Sequence, residues 1–294
     1  VHGGDNPGGF EIFDNGRAWT CHTRVECNQY GHDGIALLRA LNNWTFPQLL
    51  EQYQKPIDPQ EAARRAVENA RRMEQELQRK IEEAQKTLKE LQDARKWLEY
   101  HSNLGTGARA LWEERGLPDE WQDYWKLGYS LACPTYQDSD SLTIPMFYPM
   151  EDEPRQIRHR LLSPPTPNDK YRPEKAGLPA MPFYADDGLL TSDANRVIIV
   201  EGEIKAAVTY MTLYRPGWQV IGLPGKTSFS TMDDVTGRDD VWYIPDPDGL
   251  EDWRKAARKM GGRLVTLPGK IDDMIVAGEL DGGKLVKMME QARR

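Results

Sequence analysis

Acidic side chains follow several runs of strand-forming residues in the C-terminal third of the chain. Glu201 follows VIIV, and Asp246 and Asp248 follow VWYI. Asp272 and Asp273 come a few residues after LVTL. Carboxylates held close together repel one another, so a cation that neutralises them favours their ionised form. Hard carboxylate oxygens without Cys or His nearby suit Mg²⁺ or Mn²⁺ better than Zn²⁺.

Strand patterns that alternate with helical patterns predict a parallel sheet that brings these acids together. We expect strands in RVIIVE, WQVIGLP, DVWYIPD and RLVTLP, and helices in EIKAAVTYMTLY, LEDWRKAARKM and GKLVKMMEQAR. Sites in such sheets form at the carboxyl ends of the strands. Three strand ends then supply acids to one edge. The fourth supplies Gly225 and Lys226, and from this turn the Lys226 side chain could reach a phosphate.

Two interpretations of Asp246-Pro247-Asp248 are open. Residues two apart on an extended chain face the same way, so the two carboxylates can share one ion, with Pro247 fixing the backbone between them. Alternatively, Asp248 caps a helix that begins near Leu250, and the pair is an ordinary turn. A lone D-x-D is usually a turn, but the acids at the other strand ends favour the metal site.

Residues 104–190 have a mixed pattern and an unusual density of basic side chains. ARALWEERGLPDEWQDYWKLGY predicts a helical hairpin, SLTIPMFYPM and RQIRHRLL predict strands, and LSPPTPNDKYRPEKAGLPAMPFY predicts a Pro-rich loop. The net charge of the chain is −8, yet this stretch contains Arg155, Arg158, Arg160, Lys170, Arg172 and Lys175. Such a local concentration suits phosphate or nucleic acid, although a solvated surface would explain half of these residues.

One long helix of roughly 60 Å is predicted from residue 58 to about residue 101. Asp58 and Pro59 are typical of a helix start. Apolar residues then recur three and four apart, which suits either a connector packed along its own domains or a coiled-coil dimer seam. Glu74 and Arg95 interrupt the seam, so we favour the connector.

Residues 1–57 contain two of the three Cys and three of the five His. FEIFDNGRAWTC predicts a hairpin around Asn15-Gly16, and DGIALLRALNNW predicts a short helix. Three Cys are too few for a disulfide framework, which indicates a reducing compartment such as the cytoplasm. No apolar run reaches membrane-spanning length, so we expect no membrane partner. Because the chain begins at Val1, we expect it to be a fragment of a longer one.

The C-terminal motifs resemble the Toprim fold of bacterial-type DNA primases, type IA and II topoisomerases and some nucleases. VIIVEGEIKA matches the acid after the first strand, YIPDPDG the D-x-D, and LPGKIDDMI a later acidic stretch of primases. Ile271 stands where an acid is expected. Lys205 stands where many members have an acid or a small residue. GLPGKTSF fits the turn after the second strand in a variant associated with phage and plasmid proteins.

The upstream segments resemble primases and not the other Toprim proteins. LWEERGLPDEWQDYWKLGY matches two helices with an R-G break and a final L-G-Y, and the strand pair ends in Arg160 before Lys170-Tyr171. The N-terminal residues resemble the primase zinc ribbon, which would make His2, Cys21 and Cys27 ligands of Zn²⁺. Five residues separate the two Cys instead of two. The fourth ligand would be a Cys before Val1, or His22 or His32, and the alternative is a metal-free remnant.

The resemblance implies an α/β fold: a Toprim-type parallel sheet with helices, preceded by an α+β subdomain, a long helix and a small zinc-ribbon-like β domain. The expected boundaries are 1–57, 58–103, 104–190 and 191–294. It also implies a DNA primase encoded by a phage or mobile element, which makes short RNA primers from NTPs on single-stranded DNA by Mg²⁺-dependent nucleotidyl transfer. A replicative helicase would be a partner.

The resemblance assigns roles to individual residues. Glu201, Asp246 and Asp248 would be catalytic and would hold Mg²⁺ or Mn²⁺ together with Asp272 and Asp273. Nucleotides and template would be bound by Arg158, Arg160, Lys170, Tyr171, Arg172 and Lys226. The alternatives are a Toprim nuclease or nicking enzyme, and a catalytically silent module that binds single-stranded nucleic acid.

Overall fold

The computed structural model describes residues 10–13, 18–21, 30–31, 34–42, 44–53, 59–136, 139–166, 169–186, 196–225, 228–231 and 240–292. The chain divides into two compact units, one up to Leu77 and one from Gln78 onward. Within the described residues, the search for a helix of the length and apolar character needed to span a membrane found none.

The first unit contains a three-stranded antiparallel sheet and two short helices. The strands are β1 (Phe10–Phe13), β2 (Ala18–Cys21) and β3 (Tyr30–Gly31), and β1 pairs with β2 as the predicted hairpin requires. The helices are α1 (Gly34–Asn42) and α2 (Phe46–Tyr53). A capping box starts α2, since the amide of Thr45 donates to Gln48 Oε1 over 2.8 Å and Thr45 Oγ1 accepts from the amide of Gln48.

The long helical region is broken into two helices, so the prediction of one unbroken helix is wrong. The first, α3, covers Pro59–Ala94, and the second, α4, covers Lys96–Ser102. Arg95 between them has a φ of 48°, a left-handed conformation that ends an α-helix. Leu91 and Trp97, on either side of the break, are buried in a common apolar cluster, and this packing compensates for the unfavourable backbone angle.

An antiparallel sheet follows the helical hairpin α5 (Thr106–Glu113) and α6 (Asp119–Tyr124), which confirms that predicted hairpin. Its strands are β4 (Gly128–Ser130), β5 (Ser141–Met146), β6 (Gln156–Leu161) and β7 (Tyr171–Pro173), in that spatial order. The strands β5 and β6 were predicted. The short strand β7 lies in the segment predicted as a loop; it is an edge strand, where proline is tolerated.

The second sheet has the order β12-β11-β9-β10-β8. Its strands are β8 (Phe183–Tyr184), β9 (Arg196–Glu201), β10 (Trp218–Leu223), β11 (Val241–Ile244) and β12 (Arg263–Leu264). The last four are parallel, as predicted, whereas β8 is an antiparallel edge strand within the supposed Pro-rich loop. The register pairs Leu223 with Glu201 and Ile244 with Val200, so the carboxyl ends of the three central strands are aligned.

Four helices accompany the parallel strands. Three of them were predicted: α7 (Glu203–Leu213), α8 (Leu250–Met260) and α10 (Gly282–Gln291). The fourth, α9 (Ile271–Val276), was not predicted. Asp272 and Asp273 lie in its first turn, where negative charge interacts favourably with the helix dipole.

Alternate residues of β9 face two different hydrophobic clusters. Ile198 and Val200 belong to a cluster that includes Trp112 from α5 and Ile144 from β5. Val197 and Ile199 belong to the cluster on the opposite face, which contains Trp253 from α8. A strand buried on both faces requires the continuous apolar run that made β9 recognisable in the sequence. The first cluster fixes the antiparallel sheet beside the carboxyl ends of the parallel strands.

Candidate active site

The five acids predicted from the strand ends line one cavity of about 590 Å³. We call them the acidic wall: Glu201, Asp246, Asp248, Asp272 and Asp273. Three elements position them, since Glu201 ends β9, the two residues of the D-x-D follow β11, and the last two begin α9. The parallel topology therefore brings together carboxylates that lie up to 72 residues apart in the sequence.

The D-x-D motif has a different backbone from the one predicted. Pro247–Gly249 form a 3₁₀ turn, so Asp246 and Asp248 do not lie on one extended segment. Asp246 is buried and Asp248 is exposed. The turn of the alternative interpretation is therefore present, but the N-terminal cap of α8 is Gly249 and not Asp248. Proline has a fixed φ that suits a turn as well as an extended chain, which is why the sequence left this backbone open.

Glu201 reaches the turn that contains Asp248. A Cβ atom added to Gly249 would stand 3.6 Å from Glu201 Oε2. The Glu201 carboxylate is therefore within van der Waals distance of this turn. The acid at the end of β9 and the acids after β11 are neighbours, as the predicted sheet requires.

Asp272 has an electrostatically unfavourable position in the cavity. Its Oδ1 is buried and accepts no hydrogen bond from the residues that the structure describes. Burial raises the pKa of Asp272 above its usual range, Lys205 opposes this shift, and the charge of Asp273 adds to it. A buried carboxylate with an unsatisfied oxygen is stabilised by an additional cation.

The donor chemistry of the acidic wall fits a hard divalent cation, because every candidate ligand is a carboxylate oxygen. The carboxylates of the acidic wall are not, however, arranged around one common point. Within the described part of the chain, no three Asp, Glu, His or Cys side chains form a group able to hold a metal ion. Instead, Lys205 Nζ lies 2.6 Å from Asp246 Oδ2.

Basic and aromatic side chains from the antiparallel sheet, from the residue before β7 and from the turn between α5 and α6 line the same cavity. We call them the basic wall: Arg115, Arg158, Arg160, Lys170 and Tyr171. The two arginines of β6 are two residues apart and share one face. Both stack on the ring of Tyr171, with the Cζ atoms of Arg158 and Arg160 at 4.8 and 5.3 Å from its centroid. Arg160 Nη1 also donates to the hydroxyl of Tyr171 over 2.8 Å.

Arg158 and Arg115 differ in how their charges are balanced. Arg158 forms an ion pair with Glu203, whose side chain is 2% exposed. Arg115 lies between α5 and α6, and partial burial together with the charge of Arg160 lowers its pKa. Two guanidinium groups that repel each other in one cavity favour an anion between them.

One of the predicted nucleotide-binding residues, Arg172, is not brought to the cavity. Arg172 is next to Tyr171 on β7 and therefore faces the opposite side of the sheet, where it pairs with Asp169 at 3.0 Å. Lys226 lies outside the described residues, as do His2 and Cys27, and only the backbone of Cys21 is described.

Four charged residues of the cavity were not predicted as site residues: Arg115, Glu203, Lys205 and Lys270. Arg115 belongs to the R-G break between the helices, and Lys270 precedes the Asp272-Asp273 pair, so both stood inside recognised motifs. With them, the described residues of the lining include six acidic and six basic side chains. A cavity with separate acidic and basic sides suits a ligand that is itself anionic and accompanied by a cation.

Comparison with known proteins gives a match at the level of the fold. No protein-family model matches the chain, and no curated protein matches its sequence. Solved structures do match. The DnaG catalytic core has a TM-score of 0.54 and 18% identity, with 70% of this chain and 80% of that chain covered. The DnaG primase catalytic domain bound to single-stranded DNA has a TM-score of 0.52 and 17% identity, with 71% and 82% covered.

A third structure extends over almost the whole chain. The zinc-binding and RNA polymerase domains of the Aquifex aeolicus primase match with a TM-score of 0.50 and 15% identity, covering 99% of this chain and 77% of that one. At sequence identities this low, the structural matches show the fold alone. The chain therefore has the mixed α/β fold of these primase catalytic cores.

Proposed function

We propose that this protein is a DNA primase that joins NTPs into short RNA primers on single-stranded DNA. One observation carries the proposal: the acidic wall and the basic wall line the same cavity at the carboxyl ends of a parallel sheet. The likeness of the fold to a primase domain bound to single-stranded DNA supports it.

The acidic wall would hold Mg²⁺ or Mn²⁺ through Glu201, Asp246 and Asp248, with Asp272 and Asp273 beside them. A bound divalent ion lowers the pKa of an attacking hydroxyl and neutralises phosphate charge. Glu201 is anchored at the end of the central strand β9, and Asp246 follows the neighbouring strand β11, so two of these carboxylates are fixed by the sheet.

The basic wall would bind the triphosphate and the template. Tyr171 holds Arg160 by a hydrogen bond and by ring stacking, which orients a planar guanidinium toward the cavity. Arg115 lines the same cavity, and burial together with the charge of Arg160 lowers its pKa, against the opposing effects of Tyr171, Asp272 and Asp273. Lys170 is exposed and suits the more distant phosphates of a nucleic-acid strand.

Further parts of the proposal concern residues and partners beyond the cavity. Lys226 and Arg172 remain proposed phosphate contacts, the latter only if the template extends over the far side of β7. We also propose Zn²⁺ binding by His2, Cys21 and Cys27, a replicative helicase as partner, and a cytoplasmic, phage- or mobile-element-related origin.

The proposal is tested by incubating the protein with labelled NTPs, Mg²⁺ and random single-stranded DNA. We expect labelled primers. Glu201→Gln should reduce their synthesis by roughly 10³-fold or more, because a metal contributes several kcal/mol of transition-state stabilisation. Glu251→Gln is the matched control: it removes the same charge from an exposed position on α8 and should leave synthesis unchanged.

Two other outcomes would contradict the proposal. Metal-dependent cutting of DNA without primer synthesis would identify a Toprim nuclease. Absence of both reactions, with an affinity for single-stranded DNA that Glu201→Gln leaves unchanged, would identify a silent binding module.

A further inference from the structure

Lys205 occupies a position inside the acidic wall that is unusual for a lysine. It lies in the first turn of α7, and its Nζ is 2.6 Å from Asp246 Oδ2. The side chains of Lys205 and Asp246 are only 14% and 7% exposed, so water screens this pair weakly.

The charge of Lys205 acts on more than one carboxylate. Besides its contact with Asp246, it lines the same cavity as Asp272. These two acids come from different elements, the end of β11 and the start of α9. A cation that stabilises two converging carboxylates does part of what a metal ion would do there.

A divalent ion and this ammonium compete for the same oxygen. Mg²⁺ binds carboxylate oxygens at about 2.0–2.1 Å and accepts little distortion of its ligand shell. Asp246 Oδ2 is already hydrogen-bonded to an ammonium group. While that bond is in place, Asp246 offers at most its other oxygen, which agrees with the lack of a three-ligand group among the described residues.

We propose that Lys205 is a built-in counter-ion that competes with the divalent cation for Asp246 and so weakens cation binding by the acidic wall. Entry of the ion requires Lys205 Nζ to leave Asp246 Oδ2. The inference rests on the metal site of the proposed function, but not on primer synthesis.

The test measures Mn²⁺ binding to the full chain directly, from the electron paramagnetic resonance signal of free Mn²⁺. Lys205→Met keeps most of the side-chain length and removes the charge. We expect Mn²⁺ to bind this variant at least about tenfold more tightly than the wild type, because a repelling charge a few ångströms from the ion is lost. Adding Asp246→Asn to Lys205→Met should remove the gain.

Lys270→Met is the matched control. Lys270 lines the same cavity and is exposed, so its substitution removes the same charge without releasing Asp246. We expect a change in Mn²⁺ affinity below about threefold, since an exposed charge is screened by solvent. If Lys205→Met does not fold, as judged by circular dichroism, Lys205→Gln carries the same expectation.

The outcomes separate this inference from the proposed function. Equal Mn²⁺ affinity of the wild type and the Lys205 variants would overturn the inference alone, as would equal gains from Lys205→Met and Lys270→Met. No Mn²⁺ binding by any variant would overturn the proposed metal site and the inference with it. Unchanged Mn²⁺ affinity with a raised KM for NTP would assign Lys205 to the nucleotide phosphates instead.

Discussion

The two walls of the cavity balance their charges in different ways. In the basic wall, Arg158 is neutralised by buried Glu203, and both arginines of β6 stack on Tyr171. In the acidic wall, Asp272 has a raised pKa and a buried oxygen that accepts no hydrogen bond within the described part of the chain. The part of the basic wall formed by β6 and β7 is thus stabilised from within, whereas Asp272 in the acidic wall retains unfavourable charge that an external cation would relieve.

This difference follows from the elements that build each wall. Neighbouring antiparallel strands bring side chains into direct cross-strand contact, and Arg160 and Tyr171 are register partners on β6 and β7. The carboxyl ends of parallel strands instead lead into separate turns and helix starts, so their acids meet without a fixed pairing pattern. The basic wall can therefore be stabilised by cross-strand pairs of side chains. The charge balance of the acidic wall depends instead on the ligand or cation that enters the cavity.

The largest expected effect concerns Arg158 and tests whether the basic wall is internally stabilised. Arg158→Ala should lower the free energy of unfolding by about 3–5 kcal/mol, because it leaves buried Glu203 without its partner. Urea denaturation measures this change. Arg158→Ala combined with Glu203→Gln should recover part of the loss, since the buried charge is then absent.

Arg155→Ala is the control for that substitution. Arg155 belongs to the same basic stretch, but its ion pair with Glu151 is exposed and should contribute only about 0–1 kcal/mol. Equal losses from Arg155→Ala and Arg158→Ala would mean that the Arg158–Glu203 pair stabilises little, and that Arg158 is as available to a ligand as the original nucleotide-binding prediction assumed.

The next largest effect should have the opposite sign and belongs to the acidic wall. Asp272→Asn should raise the free energy of unfolding at pH 7 by about 0.5–2 kcal/mol. This is the usual gain from a single stabilising substitution, here the removal of an unfavourable charge. The pKa of Asp272 is raised in the folded state from the ordinary value of 3.8, so its ionisation destabilises the fold. Primer synthesis should fall in the same variant.

The pH dependence gives a second measurement on Asp272. Below pH 3.8 the carboxyl is protonated in both the folded and unfolded states, so the advantage of Asp272→Asn should vanish there and grow as the pH rises through the folded-state pKa. Asp273→Asn is the control, because Asp273 is exposed and should change stability little. Destabilisation by Asp272→Asn at pH 7 would show that the charge is already compensated.

The sequence predicted the acidic wall better than the basic wall. The apolar runs of β9, β10 and β11 identify buried parallel strands, and the rule that sites form at their carboxyl ends is enough to group Glu201 with Asp246. No equally general rule predicts that two arginines stack on one tyrosine. That contact depends on the strand β7. This strand has only three residues, ends in proline and lies in a segment whose composition is typical of a loop.

Local features with weak sequence signals could not be predicted. Arg95 adopts a left-handed conformation although it is not glycine, so the break between α3 and α4 is set by tertiary packing around Leu91 and Trp97. The sequence around Pro247 is compatible both with the observed 3₁₀ turn and with an extended chain. The contact of Lys205 with Asp246 joins residues 41 positions apart, and only the folded sheet defines it.

The smallest expected effect tests how the basic wall holds Arg160. Tyr171→Phe removes the hydroxyl that accepts a hydrogen bond from Arg160 Nη1 but keeps the ring, so the free energy of unfolding should fall by about 0.5–1.5 kcal/mol. Burial raises the pKa of Tyr171, so the hydroxyl stays neutral and the loss, measured by urea denaturation, should be the same at pH 6 and pH 9.

Tyr171→Leu sharpens this measurement, because it removes the stacking surface of both arginines as well as the hydroxyl. A cation–π contact contributes about 0.5–1 kcal/mol at an exposed site and more where it is desolvated, as for these partly buried side chains, so the leucine variant should lose more stability than the phenylalanine variant. If the two variants were equally stable, the ring would contribute nothing, and hydrogen bonds and ion pairs alone would order the basic wall. The contrast with the acidic wall would then reduce to the single pair of Arg158 and Glu203.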